Sequence, residues 1–393
     1  MENGKNQVET STASIKRFSK RWLWLIPLVI LGLVTCFIMM KTAKPKDPEE
    51  QGAGPSELKA YDDVRTVRNM TVGIDISNMD LADSASIVPT LWFNETTRWP
   101  EMMPKECDPH AILEAAKNPG LGVRALHSQG ITGEGVAVAI IDQPLYQDHP
   151  EFAGKIAMYR DFDCKSESSM HGPAVTSLLV GEDCGTAPGA KVYYAAAPSW
   201  HGDAKYYADA LDWIVSVNKD LPEEEKIRVV SVSAAPSGRG SPFKNGGMWD
   251  KSVANAQEEG ILVLDCTEVH GIIASCWYDT RDPESVQKCM PGFPGRPPAG
   301  RGSKYICAPA SPRTTAEEYV KGDFSYQYTG RGGLSWSIPY AAGVLALGWQ
   351  IDPDLTSDEA VDLLFESAYR FSESTNIIDP AAFISLVRAR DSK

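Results

Sequence analysis

The chain has 393 residues, 43% hydrophobic and 23% charged, the balance of a globular protein with room for one large domain or two smaller ones. Acidic residues outnumber basic ones 52 to 38, and the formal net charge of −14 argues against nucleic acid as a partner. No internal repeat or low-complexity tract is present.

The N-terminus departs from that pattern. Lys16, Arg17, Lys20 and Arg21 precede an uncharged run from Trp22 to Met40. As a helix at ~1.5 Å per residue it would span roughly 28 Å, about one bilayer core. Trp22 and Trp24 suit a membrane interface. A cleaved signal peptide would have a shorter apolar core and an A-x-A-like site, which Met39-Met40-Lys41-Thr42-Ala43 is not. The sequence therefore predicts a cytoplasmic tail over 1–21, a single transmembrane helix over 22–40 held in the lipid bilayer of the cell membrane, and a Lys/Pro/Glu/Gly-rich linker over 41–60. A slight excess of positive charge before the run places the N-terminus inside and the bulk of the chain outside. Residues 61–105 alternate weakly, as in Met70-Thr71-Val72-Gly73-Ile74-Asp75-Ile76, and read as a small extension with a strand or two. Asn69-Met70-Thr71 and Asn94-Glu95-Thr96 fit the glycosylation pattern.

From about residue 106 to the end the pattern becomes regular. Val136 to Ile141 is a continuous apolar run ending in Asp142, the signature of a strand buried on both faces. Met170 to Val180 is apolar at helical spacing, and Lys191 to Ala196 is a strand. Asp203 to Val217 reads as a helix, Arg228 to Ser233 as a strand, Trp249 to Glu259 as a helix and Ile261 to Leu264 as a strand. Such alternation predicts an α/β domain with a mostly parallel sheet and helices on both faces, whose sites lie at the carboxyl ends of strands. Five prolines and four glycines make 279–304 a long loop. Thr356-Ser357-Asp358-Glu359 is a capping-box signal, and Asp379-Pro380 opens a last helix.

Eight cysteines are present, Cys36 within the apolar run and seven beyond it. An odd number cannot all pair within one chain; Cys164 with Cys184 and Cys276 with Cys289 are possible bridges, and free thiols are the equal alternative. No C-x-x-C occurs, so the cysteines do not read as a zinc site. Asp161, Asp163 and Glu167 are better read as a solvated loop than as calcium ligands. No metal or cofactor is expected.

Gly332-Gly333-Leu334-Ser335 leads into an apolar run of small residues, read as a helix buried all round with Pro339 in its first turn. A serine there sits among unpaired backbone N–H groups, a suitable place for a nucleophile. Serine needs a histidine base, and the base an orienting carboxylate. All six histidines precede Ser335, and Gly333-x-Ser335-x-Ser337 lacks the last glycine of a nucleophile elbow, which disfavours the Ser–acid–His order of α/β-hydrolases. Asp142 at a strand end, His171 at a helix start and Ser335 at another fall in the order Asp, His, Ser.

On these residues the segment from about 106 to 390 resembles the subtilisin (S8) family of serine peptidases. Gly130-Ile131-Thr132-Gly133-Glu134-Gly135-Val136 through Asp142, then His149-Pro150, is similar to the family's segment around its catalytic aspartate. Met170-His171-Gly172-Pro173-Ala174-Val175 is similar to its histidine segment, and Gly333-Leu334-Ser335-Trp336-Ser337-Ile338-Pro339-Tyr340-Ala341-Ala342-Gly343 to its serine segment. Ala187-Pro188-Gly189-Ala190 matches a turn of the family. The resemblance implies a three-layer subtilisin-like fold, Asp142, His171 and Ser335 as charge-relay residues, and protein or peptide substrates.

Departures from the family pattern carry expectations too. The family has an asparagine after the strand matching Ile261–Leu264, whose side chain donates to the oxyanion. Here Asp265-Cys266-Thr267-Glu268-Val269-His270 has none, and Thr267 is the candidate donor. Ser233, Ala234 and Ala235 resemble the strand that pairs with substrate backbone; an alanine in place of a frequent glycine implies preference for small or extended side chains before the cut. Residues 41–105 do not resemble the family's inhibitory propeptide. The reading is a membrane-anchored serine endopeptidase; its rival is a subtilisin-fold pseudo-enzyme serving as a binding or scaffold module.

Overall fold

The computed structural model describes residues 57–68, 70–292 and 305–391. The tail at 1–21, the apolar run at 22–40 and Asn69 lie outside the described residues, as does most of the linker. No described helix is long and apolar enough to cross a membrane.

Short strands open the described chain: β1 (Thr66–Val67), β2 (Met70–Thr71) and β3 (Trp92–Asn94). Helices α1 (Pro109–Ala115) and α2 (Val123–His127) follow. Asp108 caps α1 by accepting from the His110 and Ala111 amides, with Pro109 in the first turn where its absent N–H is not missed. The central run is β4 (Ala137–Asp142), β5 (Ile156–Asp161), α3 (His171–Val180), β6 (Lys191–Ala196), α4 (Lys205–Asp220), β7 (Ile227–Val232), α5 (Gly246–Glu258) and β8 (Leu262–Asp265). Then come β9 (Ile273–Trp277), β10 (Met290–Pro291), β11 (Ile306–Ser311), β12 (Arg313–Glu317), β13 (Ser325–Thr329), α6 (Leu334–Ile351), α7 (Ser357–Ser367), β14 (Tyr369–Ser372), β15 (Thr375–Ile377) and α8 (Pro380–Asp391).

The central sheet is parallel throughout, in the order β5-β6-β4-β7-β8. Its two faces belong to two cores, because successive side chains of a strand point to opposite sides. Val138, Ile140, Val192, Tyr194, Val229 and Leu264 pack with α3 and α6. Ala139, Ile141, Tyr193, Ala195, Val230 and Val263 pack with α4 and α5 through Tyr207, Leu211, Ile214, Trp249 and Val253. Helices therefore cover both faces, the three-layer α/β arrangement expected from the alternation of elements.

α6 is the axis of the larger core: every residue from Trp336 to Trp349 is buried, and the helix touches α3, β7, β9, β11 and α8. A helix apolar all round has no solvent face to offer. Pro339 stands in the second turn rather than the first, so its missing N–H leaves the Ser335 carbonyl without its helical donor. The Thr356 capping box forms in both directions with Glu359.

Beyond the central sheet, β10-β9-β11-β15-β14 form a mixed sheet and β12-β13-β3 an antiparallel one. β3 pairs with β13, so the extension is hydrogen-bonded into the domain. Arg65, 5% exposed, supplies a buried cation there. It donates to Asp63, to the Tyr319 hydroxyl at 3.0 Å and to Gln327 at 2.9 Å, stacks over Trp92 and lies 3.6 Å from Glu317. Asn94 is buried and its amide donates to the Thr66 carbonyl and to Glu317. Its glycosylation pattern is therefore not a modification site in the folded chain, because the nitrogen is spent inside.

The seven described cysteines are free, and neither the Cys164–Cys184 nor the Cys276–Cys289 bridge is formed. Burial pushes the Cys164, Cys184 and Cys276 thiols up, which keeps them neutral.

Candidate active site

Asp142 is the last residue of β4 and is 3% exposed. β4 lies between β6 and β7, so its carboxyl end opens where flanking connections diverge. His171 opens α3, and its Nδ1 lies 2.7 Å from Asp142 Oδ1. A carboxylate only accepts, so the bond puts a proton on Nδ1 and leaves Nε2 as the imidazole's acceptor. Asp142 Oδ1 also accepts from the Gln143 amide at 2.8 Å. Burial alone would lower the His171 pKa; the charge and hydrogen bond of Asp142 oppose it, and the net shift is upward. The imidazole keeps 18% side-chain exposure.

Ser335 is the second residue of α6, after the N-cap Gly333. A Cβ at Gly332 would sit 1.9 Å from the Ala310 carbonyl oxygen, so the approach to this helix needs glycine. Ser335 and Ser233 are joined twice. Ser233 Oγ donates to the Ser335 carbonyl at 2.8 Å, and Ser335 Oγ donates to the Ser233 carbonyl at 3.2 Å. The first bond satisfies the carbonyl that Pro339 leaves open. The second turns the Ser335 hydroxyl toward Ser233, just past the end of β7, and among the described residues no hydrogen bond links it to His171. The indole of Trp336 meets the His171 ring at a centroid distance of 5.5 Å and an interplanar angle of 75°, so the start of α6 and the imidazole are neighbours.

Thr267 is buried beyond the end of β8. Its hydroxyl donates to Asp265 Oδ1 at 2.7 Å and accepts from the His270 amide at 2.9 Å. A hydroxyl has one proton, and here Asp265 takes it. The expectation of Thr267 as an oxyanion donor thus meets a competing acceptor within its own loop. Asp265 also accepts from the Thr267 amide and from Trp249 Nε1. Burial raises its pKa, against these bonds. His270 Nε2 lies 2.8 Å from Asp250 Oδ1, which also accepts from Ser237 Oγ at 2.6 Å. This network ties the loop after β8 to α5 and to the segment after β7.

Of the candidate substrate wall, Ser233 touches Ser335, as described. The Ala234 carbonyl accepts from the Cys266 amide and the Ala235 carbonyl from Ser241 Oγ, so both are already engaged. Asp161 Oδ1 accepts from the Cys164 amide, Glu167 accepts from the Tyr146 hydroxyl at 3.0 Å, and Asp163 lies 3.7 Å from Lys165. Among the described residues no group of three or more His, Cys, Asp or Glu side chains could hold a metal. Trp336, Asp265 and the His270–Asp250 pair escaped sequence reasoning, since a tryptophan after a serine carries no signal of partnership and the other contacts depend on the conformation of the loop after β8.

The comparisons with known proteins bear on the family and the fold. Residues 133–267 match the family model described as the subtilase family, a span that includes Asp142 and His171. The serine protease AprX of Bacillus subtilis is 25% identical over 65% of this chain and 66% of its own length. Subtilisin E of the same organism is 28% identical over 28% of this chain and 33% of its own. The chain thus matches just under two thirds of one relative and a third of the other. A solved structure of the subtilase cytotoxin SubAB assembly superposes with a TM-score of 0.54 at 17% identity, covering 70% of this chain and 96% of that one. The prenylagaramide maturation protease PagA gives a TM-score of 0.50 at 17% identity, covering 68% and 98%. At such identity these two structures speak for the fold. The comparisons thus identify a subtilisin-like serine peptidase domain in this chain, matched to the subtilase family over residues 133–267.

Proposed function

We propose that the protein is a serine endopeptidase that cleaves protein or peptide substrates through an acyl-enzyme, with Ser335 as nucleophile, His171 as general acid and base, and Asp142 as the ionised orienter of the imidazole. The observation that carries this reading is the 2.7 Å bond between His171 Nδ1 and Asp142, which leaves Nε2 ready to accept a proton beside the start of α6. Substrate binding turns the Ser335 hydroxyl from the Ser233 carbonyl to Nε2; such bonds are commonly loose before substrate arrives. Ser335 attacks the peptide carbonyl, His171 takes its proton and passes it to the leaving amine, and water releases the acyl group. The Ser335 amide, in the first turn of α6, serves the oxyanion. The chain is held at a membrane through residues 22–40, with the peptidase domain outside.

The second reading, a subtilisin-fold binding module without turnover, is favoured by one observation: the Thr267 proton is committed to Asp265. Loss of one oxyanion donor lowers turnover about 10²–10³-fold, so the enzyme reading predicts slow chemistry rather than none. A fluorophosphonate probe separates the two. The enzyme labels and cleaves a mixed peptide pool, and Ser335→Ala abolishes both. A folded wild-type protein that neither labels nor cleaves leaves the binding module standing.

A further inference from the structure

Trp336 is 8% exposed and packs with Ala174 and Leu178 of α3 and Ala310 of β11, with Met170 at the rim. Its indole Nε1–H is buried and has no hydrogen-bond partner. The fully buried Trp249 and Trp349 spend theirs, on Asp265 and on the Leu355 carbonyl, each at 2.8 Å; Trp277 Nε1 is also buried without a partner, but it lies in β9 rather than beside His171. A ring needed for packing alone is better served by phenylalanine, because a buried donor without an acceptor is destabilising. The unspent donor stands next to Ser335 in the chain and against His171 in space.

We propose that the Trp336 N–H binds the carbonyl oxygen of the first residue beyond the scissile bond; this rests on the serine-peptidase reading above. His171 must hand its proton to the leaving nitrogen, so the leaving half of the substrate departs along the imidazole. Trp336 is the side chain that meets that imidazole edge-on, and the carbonyl oxygen in question is only a few bonds from the leaving nitrogen. The acyl half lies toward Ser233, whose bonds to Ser335 mark the opposite wall. Met170, unbranched and half-buried at the rim of the cluster, is the cover that yields to admit the carbonyl. Trp336 is thus a specificity determinant for the leaving group: substrates that carry a carbonyl there gain a bond, and those that lack it do not.

The test compares two substrates with the same acyl segment, one continuing as a peptide and one ending in p-nitroanilide, which has no carbonyl at that position. Trp336→Phe keeps a ring against His171 and removes the donor together with the second ring of the indole, a loss of packing that acts on both substrates alike. The ratio of kcat/KM for peptide over anilide should fall about tenfold. A ratio that stays at the wild-type value overturns the proposal, even if both rates fall together, because an effect through His171 or the fold acts on both substrates. Should the variant not fold, the wild type supplies the second measurement. Its acyl-enzyme, loaded from an ester, should be captured by alaninamide about tenfold faster than by isopropylamine, per unit of free amine; equal capture overturns the assignment. A wild type that cleaves neither substrate and takes no fluorophosphonate fails the peptidase reading itself, and the assignment with it.

Discussion

Gly172, directly after His171, offers the sharpest perturbation of the pair that would do the chemistry. An added Cβ would stand 2.3 Å from the Gln143 carbonyl oxygen, 2.8 Å from the Tyr194 hydroxyl and 2.9 Å from the Pro144 carbonyl oxygen. Ordinary carbon contacts need about 3.5–4.0 Å, so the start of α3 must retreat from the loop after β4 by about an ångström. That loop cannot readily yield: the Tyr194 hydroxyl donates to the Gln143 carbonyl, and the Gln143 amide donates to Asp142. The displacement falls on the 2.7 Å bond between Asp142 and His171. Overpacking of this kind destabilises by about 1–3 kcal/mol, and an ångström of misplacement lowers rate about 10²-fold. Gly172→Ala should therefore show a lower melting temperature and a peptidase and fluorophosphonate-labelling rate reduced on the order of 10². Gly247, inside α5 with nothing within 4 Å of its Cβ position, is the control. Gly247→Ala should raise stability by about 0.5–1 kcal/mol and leave the rate alone. A Gly172→Ala protein that melts and reacts like the wild type would refute the reasoning.

Asp142→Asn removes the influences that raise the His171 pKa against burial. A histidine base works when neutral, so activity rises with pH through its pKa; the variant's acid limb should move to lower pH while kcat falls by about 10⁴, readable from a pH–rate profile. Glu359 is held at about 2 by the Thr356 hydroxyl and amide and by Arg390. A depressed acid stabilises above its unfolded pKa and loses that contribution as pH falls through the folded one. Glu359→Gln should accordingly melt below the wild type near neutral pH, with the gap closing as pH falls through about 2; an undiminished gap at that acidity would rule out the linkage.

The central sheet and its helices were legible because buried parallel strands and their crossover helices write long apolar runs. Lys191–Ala196 was anticipated residue for residue, and α7 announced itself through Thr356 and Glu359. β12 was not legible, for it reads Arg-Thr-Thr-Ala-Glu, a polar string that is nonetheless buried throughout. Its charged ends find partners far away in sequence, Arg313 in the Tyr278 hydroxyl and the Cys184 carbonyl and Glu317 in Arg65 and Asn94, and no local period records that. Of the candidate site, the pairing of Asp142 with His171 followed from element ends and order. The hydroxyl of Ser335 facing Ser233 did not, since it depends on a carbonyl freed by Pro339 one turn further into the helix than the spacing suggested. The commitment of Thr267 to Asp265 likewise required the loop's own conformation.

The seating of β3 on β13 fixes where this domain can be cut. Glu317 lies 2% exposed in β12, and burial raises its pKa. Its cation and one of its donors, Arg65 and Asn94, both come from upstream of residue 106. A fragment beginning at 106 would leave a buried carboxylate without its cation, a change worth about 3–5 kcal/mol in comparable ion pairs. It would also bare the edge of β13, an invitation to pair with another copy. The described residues before 106 are thus a sealing strip of the subtilisin-like domain, and the smallest independent unit begins before Arg65.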